Sequence, residues 1–343
     1  MPIPFIIAGV ALAAGAYGVK KGFDAKSDFK DASETNEQAQ RIYDGAARKL
    51  ETTREETQDS LGALGELKFN LYQNKLIPFV AAFKKIHNID FQHDAIEDEL
   101  QLAVDQADMA DIENATLKMT DIISGGIVSL GTGGLAGLAA YGSVGLLAST
   151  AGGTAIGSLS GVAATNATLA WLGGGAISAG GLGMAGGAYV LGSIVAGPVL
   201  AIGGMMLASK AEEAKHNAYS NLSTAEVAAE QMETANVAAQ GVHARIKEIH
   251  HVLGKLEDTF EPLLDGLQSL VTHSPKNWSG KIDYMKLPKE DQVGIMVSMM
   301  MAKTIKNVLE TPILDEQGLI TEASGVVIDT AHNNLLEIQE KLA

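Results

Sequence analysis

The chain has no cysteine. That excludes a disulfide framework and cysteine-based metal sites, and it suits either side of a bacterial-type membrane. Aromatic residues make up only 5% of the chain, which argues against an all-β fold and for helices. Basic residues are scarce beside acidic ones, 25 against 41, for a formal charge of −16. A broad nucleic-acid surface needs clustered Lys and Arg, so nucleic acid is not an expected partner. The same charge repels anionic lipid except where basic residues gather locally.

The largest absence is local. From Ile122 to Ser209 the chain runs 88 residues without one Asp, Glu, Lys, Arg or His, and this stretch holds 24 of the 38 glycines. An uncharged surface of that size does not all fit into a soluble core. Within it, small residues recur at every fourth position: Gly133, Gly137, then Gly145, Ser149, Gly153, Gly157 and Gly161, with Tyr141 breaking the row. Gly183 and Gly187 repeat the spacing. Residues four apart share one helix face, so the row makes a flat groove that another backbone can approach closely. In water each glycine costs a helix about 0.5–1 kcal/mol against alanine. In lipid an unsatisfied backbone group costs more than that, and the helix is forced to form. Two candidate spans follow, Ile122–Leu147 and Ala176–Ala196, and the eight glycines named here are the expected helix-packing positions. Gly197-Pro198 marks a break, and charge returns at Lys210.

What is present on either side reads as long helix. Residues 24–121 form the first helical region. Tyr43, Ala46, Leu50, Leu64, Leu67 and Leu71 fall near a 3.5-residue repeat, with polar Thr53, Thr57 and Ser60 in the seam. Pro78 is expected to interrupt or kink it. Residues 94–121 are acidic, and a solvated helix face accounts for them. Residues 210–272 form the second helix. Its seam, Val242, Ile246, Ile249, Leu253, Leu256, Phe260, Leu263, Leu267 and Leu270, steps by alternating fours and threes. Pro262 is expected to bend it or start a new helix. Residues 273–343 read as a mostly helical C-terminal module. It contains a loop over 280–288, a Met-rich helix over 290–309 and a small β-hairpin at Ile313-Leu314 and Leu319-Ile320, and it closes with a helix over 323–342.

Chemistry-bearing patterns are thin, and neither an enzyme nor a cofactor is expected. Gly181 to Gly186 matches G-x-G-x-x-G, but it lacks a β-branched strand before it and a suitably placed acidic residue after it. There is no P-loop motif. His87, Asp90, His93 and Asp94 read as surface loop polarity rather than metal ligands. His243 and His250 lie seven apart and flank the second seam. The Met cluster at 296–301 reads as core or an adaptable docking face.

The N-terminal segment, residues 1–23, is apolar from Pro2 to Val19 and is followed by Lys20-Lys21. A cleaved signal carries its positive charge before the apolar run, so an uncleaved segment is the reading here. If it spans, the positive-inside bias places the bulk of the chain in the cytoplasm, at a bacterial inner membrane.

The order of long polar helix, glycine-rich uncharged hairpin and heptad helix resembles the helical pore-forming proteins of the haemolysin E and two-component cytotoxin type. The Gly153, Gly157, Gly161 run looks like the glycine-zipper segments of membrane-channel and apolipoprotein-L-like proteins. The likeness covers residues 24–272. It implies coils that shield an apolar segment, then insertion and oligomerisation. The apolar N-terminus and the C-terminal module depart from that pattern and suit a resident or intracellular effector better than a free toxin. The expected fold is all-α, an elongated antiparallel coiled-coil pair joined by a Gly-rich hairpin, with the C-terminal module appended. The expected function is membrane insertion and permeabilisation, in which the lipid membrane and a homo-oligomer or helical protein are the partners. The alternative is a membrane-anchored coiled-coil scaffold that recruits a partner through the C-terminal module.

Overall fold

The computed structural model describes residues 19–89, 91, 104–124, 135, 138–140, 142, 211–315 and 319–342. These are nearly all helical. In order they form α1 (Val19–Leu71), a π-turn (Tyr72–Leu76), α2 (Ile77–Phe83), β1 (Ile86–His87), α3 (Gln106–Ser124), α4 (Ala211–His273), β2 (Ile282–Asp283), a 3-10 turn (Tyr284–Lys286), α5 (Lys289–Glu310) and α6 (Glu322–Leu342). The all-α expectation holds.

The chain divides into two compact units, one of Met1–Lys49 with Gly197–Glu233 and one of Leu50–Ala196 with Thr234–Ala343. In the first, Asn221 Nδ2 donates to Asn36 Oδ1 at 3.1 Å and Lys49 Nζ reaches Glu233 at 2.7 Å. The buried residues there are small, namely Ala32, Ala39, Ala218, Ala225 and Ala228, with Met232 the largest.

In the second unit, Thr53 Oγ1 donates to Asn236 Oδ1 at 2.7 Å, Ser60 Oγ meets His243 Nδ1 at 3.3 Å, and Lys75 pairs with Glu261 at 3.0 Å. Partner numbers rise together in both units, with separations of 183 to 185 for the hydrogen-bonded pairs. Antiparallel neighbours would instead keep the sum of the two numbers constant. Helices α1 and α4 therefore run parallel, which corrects the antiparallel pair expected from the sequence. The reason is compositional. Both helices start polar and alanine-rich and grow more apolar toward their C-terminal ends, so only parallel alignment sets rich against rich. Parallel neighbours also need a long crossover, and residues 72–210 supply one.

Pro78 falls at the start of α2, where a missing N–H costs nothing. The π-turn just before it closes with the Ile77 N–H on the Tyr72 carbonyl. Pro262 lies inside α4, which continues through it. Seven of the nine seam residues are buried, Val242 through Phe260 and Leu267, whereas Leu263 and Leu270 are only partly covered. Leu264 and Val271 are buried in their place. A straight α-helix drifts about 20° per heptad against a 3.5 repeat, so an apolar seam moves by one position after several heptads.

The core of the second unit runs from α1 and α2 through α3 and α4 to α5 and α6. The Phe79 ring lies 5.4 Å from Phe83 and 5.7 Å from Phe260, tilted against both. Met296, Met299, Met300 and Met301 of α5 are all buried. The acidic helix is not simply solvated. Asp108 pairs with Lys303 at 2.8 Å, Asp111 with Lys306 at 3.8 Å, and Glu113 with Lys84. At its start Asp105 and Asp108 each accept the other's backbone N–H at 2.9 Å, a reciprocal cap.

The expected hairpin is present as one antiparallel bridge, Leu314 to Ile320. Residues 280–288 hold more than a loop, since β2 pairs in parallel with β1, Ile282 against Ile86. Thr321 caps α6, its Oγ1 accepting the Ser324 N–H at 3.2 Å.

Candidate functional site

The second unit buries one lysine completely. Lys68 has no exposed surface. Its position follows from the seam of α1: Leu61, Leu64, Lys68 and Leu71 step by 3, 4 and 3, and all four are buried. The amine is held where two helix ends meet. Its Nζ donates to the Ala139 carbonyl at 3.0 Å and to the Leu309 carbonyl at 3.1 Å.

Both carbonyls belong to helical C-termini, which leave acceptors without intrahelical partners. Leu309 lies in the last turn of α5. Ala139 lies in a helical turn, residues 138–140, that closes with the Gly142 N–H on the Leu138 carbonyl at 3.0 Å. Gly142 has φ +65, the left-handed conformation that ends helices and favours glycine. A Cβ there would lie 2.8 Å from the Glu310 carbonyl. The neighbouring carbonyl of Ala140 accepts the Ile313 N–H at 2.8 Å. Leu138, Ala139 and Ala140 are buried. On α1, a Cβ at Gly65 would run into the Leu135 carbonyl oxygen, so backbone lies directly against backbone. Leu135, Leu138 to Ala140 and Gly142 of the uncharged stretch are thus seated between α1 and the end of α5.

The electrostatics follow from this burial. Desolvation lowers the Lys68 amine from its ordinary 10.5 to about 7, and the charge of Glu310 opposes the shift. Two helix C-termini add partial negative charge around the same atom. Tyr72, one turn further along, donates its hydroxyl to Glu310 Oε1. Its phenol is held well above the ordinary value, first by burial and then by Glu310. Glu310 is only half-buried, and it lines a groove of about 640 Å³ with Asn307, Pro312, Val326, Val327 and Asn334. The carboxylate therefore connects the buried pair to solvent.

Of the glycines expected to pack membrane helices, Gly133, Gly137, Gly145, Gly153, Gly157, Gly161, Gly183 and Gly187 all lie outside the described residues, as do the span Ala176–Ala196, the G-x-G-x-x-G run, and Asp90, His93 and Asp94. Among the described residues no helix is long and apolar enough to cross a membrane, and no group of three or more metal-ligating side chains occurs. His243 flanks the seam as expected, on Ser60, and His250 and His251 are exposed. The sequence reading passed over Lys68, although a lysine at the seam spacing of Leu64 and Leu71 was the signal for it. No protein-family model, curated protein or solved structure matches the chain.

Proposed function

We propose that this chain is a non-enzymatic membrane effector whose glycine-rich stretch inserts into a bilayer and permeabilises it as an oligomer. The observation that supports this best is the seat. Leu138, Ala139 and Ala140 of the uncharged stretch lie in a protein core, and a single buried amine on α1 joins Ala139 to the end of α5. A segment suited to hydrocarbon is thereby held where described by backbone contacts to one lysine and one helix end. Acid favours their loss. Below about pH 7 the amine takes up a proton in a site where burial opposes charge, and its hydration then favours opening. The oligomerising groove would be the row Gly145, Gly153, Gly157 and Gly161, where backbones can meet closely.

The test is dye release from lipid vesicles by the purified full-length chain, at neutral and mildly acidic pH. Release is expected, stronger at the lower pH, and Gly157→Leu should abolish most of it. Leakage that is indifferent to Gly157→Leu would sink the insertion reading. A chain that needs detergent from the start and releases nothing would favour the membrane-anchored scaffold instead.

A further inference from the structure

The far end of α4 carries a feature that the glycine-rich stretch does not explain. Trp278 is 99% exposed. It is one of only two tryptophans in the chain. Large aromatics are costly to leave in water, and this one is held there by a stiff turn. The Asn277 N–H donates to the Lys281 carbonyl at 2.8 Å, and the Gly280 N–H to the Asn277 carbonyl at 2.9 Å. Asn277 Oδ1 in turn accepts the backbone N–H groups of Ser279 and Lys281, each at 2.9 Å. Gly280 adopts φ +78, as the tight reversal requires. Asn277 Nδ2 also lies 3.0 Å from His87 Nε2, which ties the turn to the strand pair.

Charge reverses around it. Between Pro275 and Lys289 the chain holds Lys276, Lys281, Lys286 and Lys289 against Asp283, which pairs with Lys286 at 3.5 Å, before Glu290 and Asp291 follow, in a protein of net charge −16. Lys85 joins them, because its carbonyl accepts the Ile282 N–H at 2.8 Å. Met285, in the same segment, is 49% exposed.

We infer that the Trp278 turn is a docking foot for an anionic lipid surface, with the indole in the headgroup layer and the lysines on the lipid charges. The indole combines an apolar face with an N–H donor, the chemistry that places tryptophan at membrane–water interfaces. Each lysine near such a surface adds attraction that salt screens. Neither signal anchors a protein alone, and together they give reversible binding. The inference rests on the proposed membrane role in taking lipid rather than protein as the partner, but it does not require insertion.

The two tryptophans separate the two readings, since Trp171 lies in the uncharged stretch. Full-length Trp171→Phe reports on the foot and full-length Trp278→Phe on the stretch. With vesicles of phosphatidylcholine and phosphatidylglycerol, Trp278 emission should shift to the blue and be quenched by brominated lipid. Pure phosphatidylcholine should give little response. Lys276→Gln with Lys281→Gln should weaken partitioning roughly thirty-fold at low salt. Trp278→Ala should weaken it too without moving the urea midpoint, because the side chain packs on nothing that its loss could disturb. Emission from Trp278 that stays at its aqueous position on anionic vesicles would overturn the foot, even if Trp171 responds. A Trp278 response with Trp171 silent would keep the foot and remove insertion. A response to polyglutamate but not to vesicles would overturn the lipid assignment.

Discussion

In each unit α1 pairs with α4 in parallel, yet the two bury different things. In the first, the described seam is alanine with one methionine, Met232, and its cross-helix bonds are Asn36 to Asn221 and the exposed pair Lys49–Glu233. In the second, Leu64, Leu71, Phe79, Leu256 and Phe260 are sealed from solvent, and α3, α5 and α6 pack on them. A buried methyl contributes about 0.8 kcal/mol and a buried Leu or Phe about 1.5–3 kcal/mol, so the energy per turn differs by a factor of two or more. Pairing geometry thus sets alignment, while side-chain volume sets which part of the pair opens first. The amides of residues 30–49 and 218–233 should exchange with solvent before those of 61–83 and 242–267.

The largest effect that sharpens this contrast belongs to Phe260. Phe260→Ala deletes a ring packed on Phe79 and should cost about 3–5 kcal/mol, read as a lower urea midpoint. Met232→Ala, the nearest equivalent in the first unit, should cost about 2 kcal/mol, because its seam leaves less volume to lose. Equal costs would remove the distinction.

Much of this contrast was legible in the chain. The 4-3 spacing from Val242 to Phe260 marked the seam because large aliphatics repeat there without a break, and the alanine-rich start of α4 marked its thin end. The direction of pairing was legible in principle, since apolar content rises along both helices. It was missed because a long uncharged stretch between two helices suggests a hairpin, and only partner numbering distinguishes that from a crossover. The β1–β2 pairing was hidden for another reason: two residues on each side carry no periodicity. Lys68 was hidden by its own charge. A lysine within a leucine repeat reads as a solvated break in the seam unless the carbonyls that receive it, Ala139 and Leu309, are known, and these come from 71 and 241 residues away.

Lys68 also gives the second unit a rise of stability with pH, whereas in the first Tyr43, its phenol raised by burial and then by Asp44, acts in the opposite sense. Above about pH 7 the folded chain holds this amine neutral, while the unfolded chain keeps it charged up to its ordinary 10.5. The unfolded state then binds more protons, so stability should rise with pH from about 7. Tyr72 reverses the trend at the upper end. Its phenol keeps a proton that the unfolded chain loses near 10.0, and stability should fall again above that. Lys68→Met should abolish the rise while leaving two carbonyls short of a donor, which costs about 1–3 kcal/mol for each one left unsatisfied. The check is a series of urea titrations from about pH 6 to about pH 11.5, spanning the ordinary values of both groups. A slope that persists in Lys68→Met would assign it elsewhere.

The smallest effects come from three glycines of α1, and their signs matter more than their sizes. A Cβ at Gly45, in the first unit, or at Gly62, in the second, would meet nothing within 4 Å. Alanine at either should stabilise by about 0.5–1 kcal/mol, because helix interiors favour it and no neighbour objects. Gly65, one turn beyond Gly62, gains the same propensity but sets a methyl against the backbone of Leu135. Backbone cannot rotate away as a side-chain tip can, so Gly65→Ala should instead destabilise by about 1–3 kcal/mol. If the seat is what holds the uncharged stretch, Gly65→Ala should also raise vesicle leakage at neutral pH, and Gly62→Ala should leave it unchanged. A stabilised Gly65→Ala would mean that Leu135 does not lie against α1. The seat would then rest on Lys68 and the Gly142 turn alone.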